Sequence, residues 1–124
     1  TEEARRNPSV VKVVRSASGG ALYFSRAEIP HKRDGKPKPE DLERDLFLRH
    51  IGIYAYARAA LQDWVALAPS YLEQLEMLEQ LRPLEAGMRI GVSVVGSAAP
   101  GVDTPEDAVR MEQQLSRFNH PTPV

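Results

Sequence analysis

The chain has 124 residues, with 16 Lys and Arg against 17 Asp and Glu and no cysteine. A formal charge of −1 argues against a general nucleic-acid binder, and the missing thiols exclude a disulfide scaffold, a thiolate zinc site and a cysteine nucleophile. No apolar run approaches the roughly 20 residues of a membrane span and no signal peptide opens the chain, which leads us to expect a cytoplasmic protein without a membrane segment.

The opening Thr1-Glu2-Glu3-Ala4-Arg5-Arg6 lacks an initiator Met and reads as the middle of a longer frame. Asn7-Pro8 favours a turn, and Val10 to Arg15 is a β-branched run typical of a strand. Ser16 to Gly20 supplies turn chemistry, so Ala21 to Ala27 reads as the returning strand of a hairpin. Ile29 to Pro39 holds three prolines and six ionisable side chains and reads as a solvated loop. A short helix is expected over Glu40 to Phe47, with Leu42 and Leu46 spaced i, i+4.

His50 to Tyr56 alternates and reads as a strand. Ala59 to Leu67 reads as a helix stopped before Pro69. Ser70-Tyr71-Leu72-Glu73 matches a capping box, opening a helix that carries Leu72, Leu75, Leu78 and Leu81 and ends near Pro83. Met88 to Val95 is a further strand pattern, and Gly96 to Gly101 a loop. Thr104-Pro105-Glu106-Asp107 opens a last helix with its N-cap, its proline and its acids in order. Asn119 to Val124, with two prolines, is expected to fray.

Three constellations could carry chemistry. On a strand, His50, Gly52 and Tyr54 would share one face while Ile51, Ile53 and Ala55 take the core face. That first face is either a ligand wall, with Gly52 allowing close approach, or a half-buried sheet surface whose His and Tyr bond each other or water. On the Ser70 helix, at about 100° per residue, Glu79 falls between Leu72 and Leu75. A carboxylate so bracketed either snorkels outward or needs donors, and Gln80 could share the ligand that supplies them. Asp103 precedes a helix start, where a carboxylate can hold Mg²⁺ beside phosphate oxygens or simply complement the helix dipole. Arg26, late in its strand, suits an anionic substrate through its planar guanidinium, or is an ordinary surface arginine.

Several stretches recur in a fixed order: Asn7-Pro8 with Val10 to Val14, Ala21 to Ala27, Leu48 to Tyr54, Leu72-Glu73-Gln74, Glu76 to Arg82, and Gly101 to Asp107. On these motifs the sequence resembles the 3-deoxy-manno-octulosonate (Kdo) cytidylyltransferases, or CMP-Kdo synthetases, over about residues 7–117. The resemblance implies transfer of CMP from CTP to Kdo with release of pyrophosphate, a step toward lipopolysaccharide. It implies substrate contacts from Arg26, His50, Tyr54, Glu79 and Gln80, and magnesium ligation by Asp103. It also implies a homodimer with the hairpin near its interface.

The basic, glycine-containing loop that such enzymes use for CTP phosphates, and their other magnesium-binding aspartate, do not occur here. The single Gly-Lys pair, Gly35-Lys36, sits in the Pro-rich loop, and Asp34 to Pro39 are given no contact. Residues 1–124 therefore resemble the C-terminal half: α/β, part of a Rossmann-like nucleotidyltransferase fold, a mixed sheet with flanking helices. Two alternatives differ in class or substrate. One is a sugar-acid-binding or dimerisation module without chemistry; the other is a cytidylyltransferase for another acidic sugar such as sialic acid.

Overall fold

The computed structural model describes residues 2–96, 102 and 105–118. They belong to two units, residues 1–94 and residues 95–124. The first is organised by the expected hairpin. Strands β1 (Lys12–Arg15) and β2 (Ala21–Ser25) pair antiparallel, Lys12 opposite Ser25 and Val13 opposite Phe24, with a bulge between Val14 and Arg15. In the turn, Gly20 N–H donates to Ser16 Oγ (3.1 Å), and Gly19 takes φ +85°, a region glycine enters without a Cβ clash. Strand β3 (Leu48–Arg49) joins the other side of β1, giving the order β2-β1-β3 with both pairings antiparallel.

Val13 and Phe24 are buried with Leu78 and Leu81, and Leu48, Leu72, Leu84 and Ile90 pack around them. Helices α4 (Tyr71–Glu76) and α5 (Leu81–Glu85) flank this sheet, in keeping with the expected α/β class. Beside them, α1 (Glu2–Arg6) forms in the charged opening that sequence patterning left unassigned. Helix α3 (Arg58–Ala66) follows the expectation for 59–67 closely, and Leu67 N–H closes it on Trp64 O.

Four expected elements differ, each for a local reason. Helix α2 (Pro39–Glu43) stops well before Phe47, because Asp45 turns left-handed at φ 52°; Leu42 and Leu46 stay exposed, so their spacing buries nothing. The His50–Tyr56 strand ends almost where it begins. Past Arg49 the neighbouring strand runs out: His50 N–H reaches Val11 O (2.9 Å), but the chain before Val11 already curls through an Asn7–Val10 turn. Ile53 N–H then folds back onto Ile51 O (2.7 Å), and Ile53 is 85% exposed rather than in a core. Gly52 sits at the centre of that bend, with open space where a Cβ would stand, so no protein group among the described residues makes a close approach there.

Met88 to Val95 likewise makes one bridge, Gly91 opposite Gly20, because it meets the hairpin at its glycine turn rather than along β2. The long Ser70 helix is two helices. Met77 adopts φ 54°, ψ 49° and ends α4, and Pro83 lies inside the first turn of α5, where its missing N–H breaks no helical bond.

In the second unit, α6 (Pro105–Phe118) starts as its sequence requires, with Pro105 first and Glu106 and Asp107 in the first turn. Arg110 pairs with Asp107 at 3.1 Å. Asp103, Thr104 and the expected frayed tail 119–124 lie outside the described residues, as does nearly all of the 96–101 loop. No helix of the described residues is long and apolar enough to cross a membrane.

Candidate functional site

His50 leaves the sheet at the end of β3, and its ring meets Phe24 edge-on, centroids 5.2 Å apart at 77°. Tyr54 returns to it: Tyr54 Oη lies 2.8 Å from His50 Nε2. Residues at i and i+4 of an ideal strand stand roughly 13 Å apart, so it is the bend at Gly52 that unites this pair. The expected neighbours do meet, by a route the alternating pattern does not contain.

Burial lowers the affinity of His50 for its proton and raises that of Tyr54, with Tyr56 and Glu79 adding to the rise at Tyr54. Near neutral pH both groups are therefore uncharged. One proton joins the phenol oxygen and Nε2: with the phenol donating, the imidazole proton sits on Nδ1, and with Nε2–H donating, the phenol oxygen accepts.

An aromatic wall extends from this pair. Tyr56 stacks on Tyr54 (5.8 Å, 20°), and Trp64 of α3 meets Tyr54 and Tyr56 at 6.2 Å and 5.2 Å. Burial raises the phenol pKa of both tyrosines, and the Glu79 charge adds to the rise. The residue is exposed and stands in the turn between α4 and α5, not on a leucine-lined helix face, and the expected bracket fails with Leu75 67% exposed. Gln80, the next residue, is buried. It is 4% exposed, between the buried Leu78 and Leu81, and its Nε2 has no hydrogen-bond partner. A buried amide donor without a partner is costly, and a ligand or water acceptor would relieve it.

Arg26 sits at the end of β2 and grips backbone. Its Nε, Nη1 and Nη2 donate to the carbonyls of Glu76 (2.8 Å), Pro8 (3.1 Å) and Met77 (3.3 Å). Lys12 is buried beneath, its ammonium donating to the carbonyls of Asn7, Val10 and Arg26. Elsewhere, a cavity of about 290 Å³ opens between α1 and the Pro-rich loop. Its cations already meet carboxylates, Arg5 on Glu28 (3.1 Å) and Lys36 on Glu2 (2.9 Å).

The sequence pattern of the cytidylyltransferases matches residues 1–90 of this chain. The chain belongs to the cytidylyltransferase family.

Its similar relatives carry one name. The 3-deoxy-manno-octulosonate cytidylyltransferase of Xanthomonas campestris pv. campestris is 51% identical over 113 residues, 89% of this chain and 45% of that protein. A second, from Bradyrhizobium, is 53% identical over 121 residues, 94% of this chain and 45% of the relative. A solved structure of CMP:2-keto-3-deoxy-manno-octonic acid synthetase complexed with CTP superposes with a TM-score of 0.81 at 39% identity. It covers 95% of this chain and 46% of its own. The chain thus spans about half the length of the relatives it matches.

Within this cytidylyltransferase segment, the sequence reading missed Tyr56, Trp64 and Glu76. Tyr56 lies two residues past Tyr54 and Trp64 is the single tryptophan. Those were signals: Tyr56 falls on the His50–Tyr54 face of the strand alternation, whereas Trp64 lies outside it. Among the described residues, no three His, Asp or Glu side chains gather into a metal-binding group. Chemically, the wall offers aromatic faces and a neutral donor–acceptor pair, while the Glu79 carboxylate and the buried Gln80 amide are carried on the turn between α4 and α5. That set suits a hydroxyl-rich ligand.

Proposed function

We propose that this chain forms the sugar side of an enzyme that transfers CMP from CTP to Kdo and releases pyrophosphate. The observation that carries the reading is the buried, unpartnered Gln80 amide next in sequence to Glu79, whose charge bears on the Tyr54–Tyr56 wall. Names of the similar proteins support the substrate pair. In this reading the aromatic faces pack against the sugar ring, and Glu79 and the His50–Tyr54 pair exchange hydrogen bonds with its hydroxyls. Gln80 donates its free N–H, and Arg26, with five N–H donors and three on carbonyls, offers the remainder to the sugar carboxylate.

Catalysis then rests on positioning the attacking hydroxyl and on stabilising charge at the phosphates. Mg²⁺ would offset that charge with Asp103 as a ligand. The described residues add no ligand set to it, so no step is routed through the ion. We assign the protein to the cytoplasm and to a homodimer, which sedimentation would test as a mass of twice the chain.

A pyrophosphate-release assay tests the function. The isolated chain should show negligible turnover. A chimera that adds the first half of the Xanthomonas relative should use CTP with Kdo at ordinary enzyme rates, about 1 s⁻¹ or more. Preference for N-acetylneuraminic acid, or an inert chimera that is folded, would overturn the reading. In the same chimera, Asp103→Asn should lower kcat by about 10²-fold if the carboxylate holds the metal. Near-normal kcat with a lowered Tm would assign Asp103 to the helix dipole instead.

A further inference from the structure

Glu79, exposed, and Gln80, buried, follow directly on a turn made at one residue. Met77, φ 54° and ψ 49°, is left-handed, a conformation that costs an L side chain energy. Its own side chain is 75% exposed, so packing does not hold it there. The turn's own Leu78 N–H to Glu73 O bond (3.1 Å) and bonds from the neighbouring strand do. Arg26 Nε donates to Glu76 O (2.8 Å) and Nη2 to Met77 O (3.3 Å), gripping the turn from the backbone side. The Glu76 carboxylate completes the grip: Oε1 accepts from Ser25 Oγ (2.6 Å) and Oε2 from Arg26 N–H (3.0 Å).

On the far side of that peptide, buried Lys12 donates to Arg26 O. Residue 26 is thereby clamped from both faces, and Glu76 is the one carboxylate in the clamp that reaches the strand. The end of β2 and the end of α4 become a single rigid corner.

We propose that Glu76 is a positioning residue for the sugar-acid wall, acting through Arg26 and the Met77 turn to set where Glu79 and Gln80 point. This deepens the function proposed above and rests on it for the identity of the ligand. A side chain that served stability alone would lower the melting temperature when altered and leave affinity intact in the folded fraction. A positioning side chain ties affinity to the turn.

Glu76→Gln keeps the shape but removes the charge: the amide oxygen still accepts from Arg26 N–H and the NH₂ donates to Ser25 Oγ, so two charge-assisted bonds become neutral ones. Amide hydrogen exchange over 76–80 should quicken, and calorimetric affinity for Kdo should fall about tenfold, the scale of one charge-assisted hydrogen bond. Adding Met77→Gly should undo this, because glycine enters the left-handed region without strain and forms the turn unaided. The double variant should return to within about threefold of the parent affinity and recover slow exchange.

Parental affinity in folded E76Q would overturn the proposal. So would a double variant that recovers slow exchange yet binds weakly. Should E76Q not fold, Ser25→Ala removes one of the same bonds more gently and is judged by the same pair of readouts, alone and with Met77→Gly. If the parent chain takes up no Kdo, the proposed function falls instead, and exchange with and without Met77→Gly still decides whether Glu76 holds the turn.

Discussion

Burial moves His50 and Tyr54 in opposite directions on the pH scale yet leaves both neutral, and a hydrogen bond joins them. The unfolded chain takes up a proton at His50 near the ordinary value of 6.5, the folded chain only at lower pH. Between those two points the unfolded state binds more protons, so stability rises with pH and is fully present above about 6.5. A melting series should therefore show Tm falling as pH drops from neutral toward 5.5, and His50→Gln should flatten that part of the slope. An unchanged slope in the variant would place His50 in ordinary solvent. The sequence showed that this histidine and tyrosine belong together. It could not show how, because alternation describes a strand and the pairing comes from a bend at Gly52 that no period encodes.

Among elements, the corner made by α4 and α5 shows what local sequence can and cannot specify. The capping box was legible residue by residue: Glu73 N–H donates to Ser70 Oγ (3.2 Å), and Ser70 N–H donates to a Glu73 carboxylate oxygen (3.1 Å). The end of the helix was not. Leu72, Leu75, Leu78 and Leu81 suggest one continuous face, but tertiary bonds from Arg26 and a bidentate Arg82–Glu73 ion pair fold the segment into two short helices. Glu73 serves both ends, and the Arg82 guanidinium holds its carboxyl below the usual range. Ser70→Ala should cost about 1 kcal/mol, read as a fall in Tm without change in far-UV helicity beyond α4. Stability within about 0.3 kcal/mol of the parent would mean that Arg82 alone organises the corner.

For the molecule as a whole, burial is uneven. Among the described residues, Val13, Phe24, Leu78 and Leu81 form the buried hydrophobic core, whereas Ile53, Leu61, Val65 and Leu75 are exposed. Strand patterning at 50–56 and 88–95 is real in the sequence and mostly without ladder partners among the described residues. That is why those elements were legible as patterns and absent as strands: pairing is non-local, and the chain spans about half of its relatives. Two substitutions separate the regions. Leu81→Ala should cost about 2–5 kcal/mol by urea unfolding. Ile53→Lys should change stability by less than about 0.5 kcal/mol in this chain. The reverse ranking would mean that the core lies elsewhere.

The sugar-acid wall itself can be tested without turnover. Trp64, the single tryptophan, packs on Tyr54 and Tyr56 and reports on that wall. Titrating the chain with Kdo should change its emission along a saturable curve, mirrored by calorimetric heat, and Tyr54→Ala should abolish both while the fold persists. Emission and heat that stay flat at every Kdo concentration, or a Tyr54→Ala variant that binds like its parent, would contradict the placement of the sugar acid against His50, Tyr54, Glu79 and Gln80.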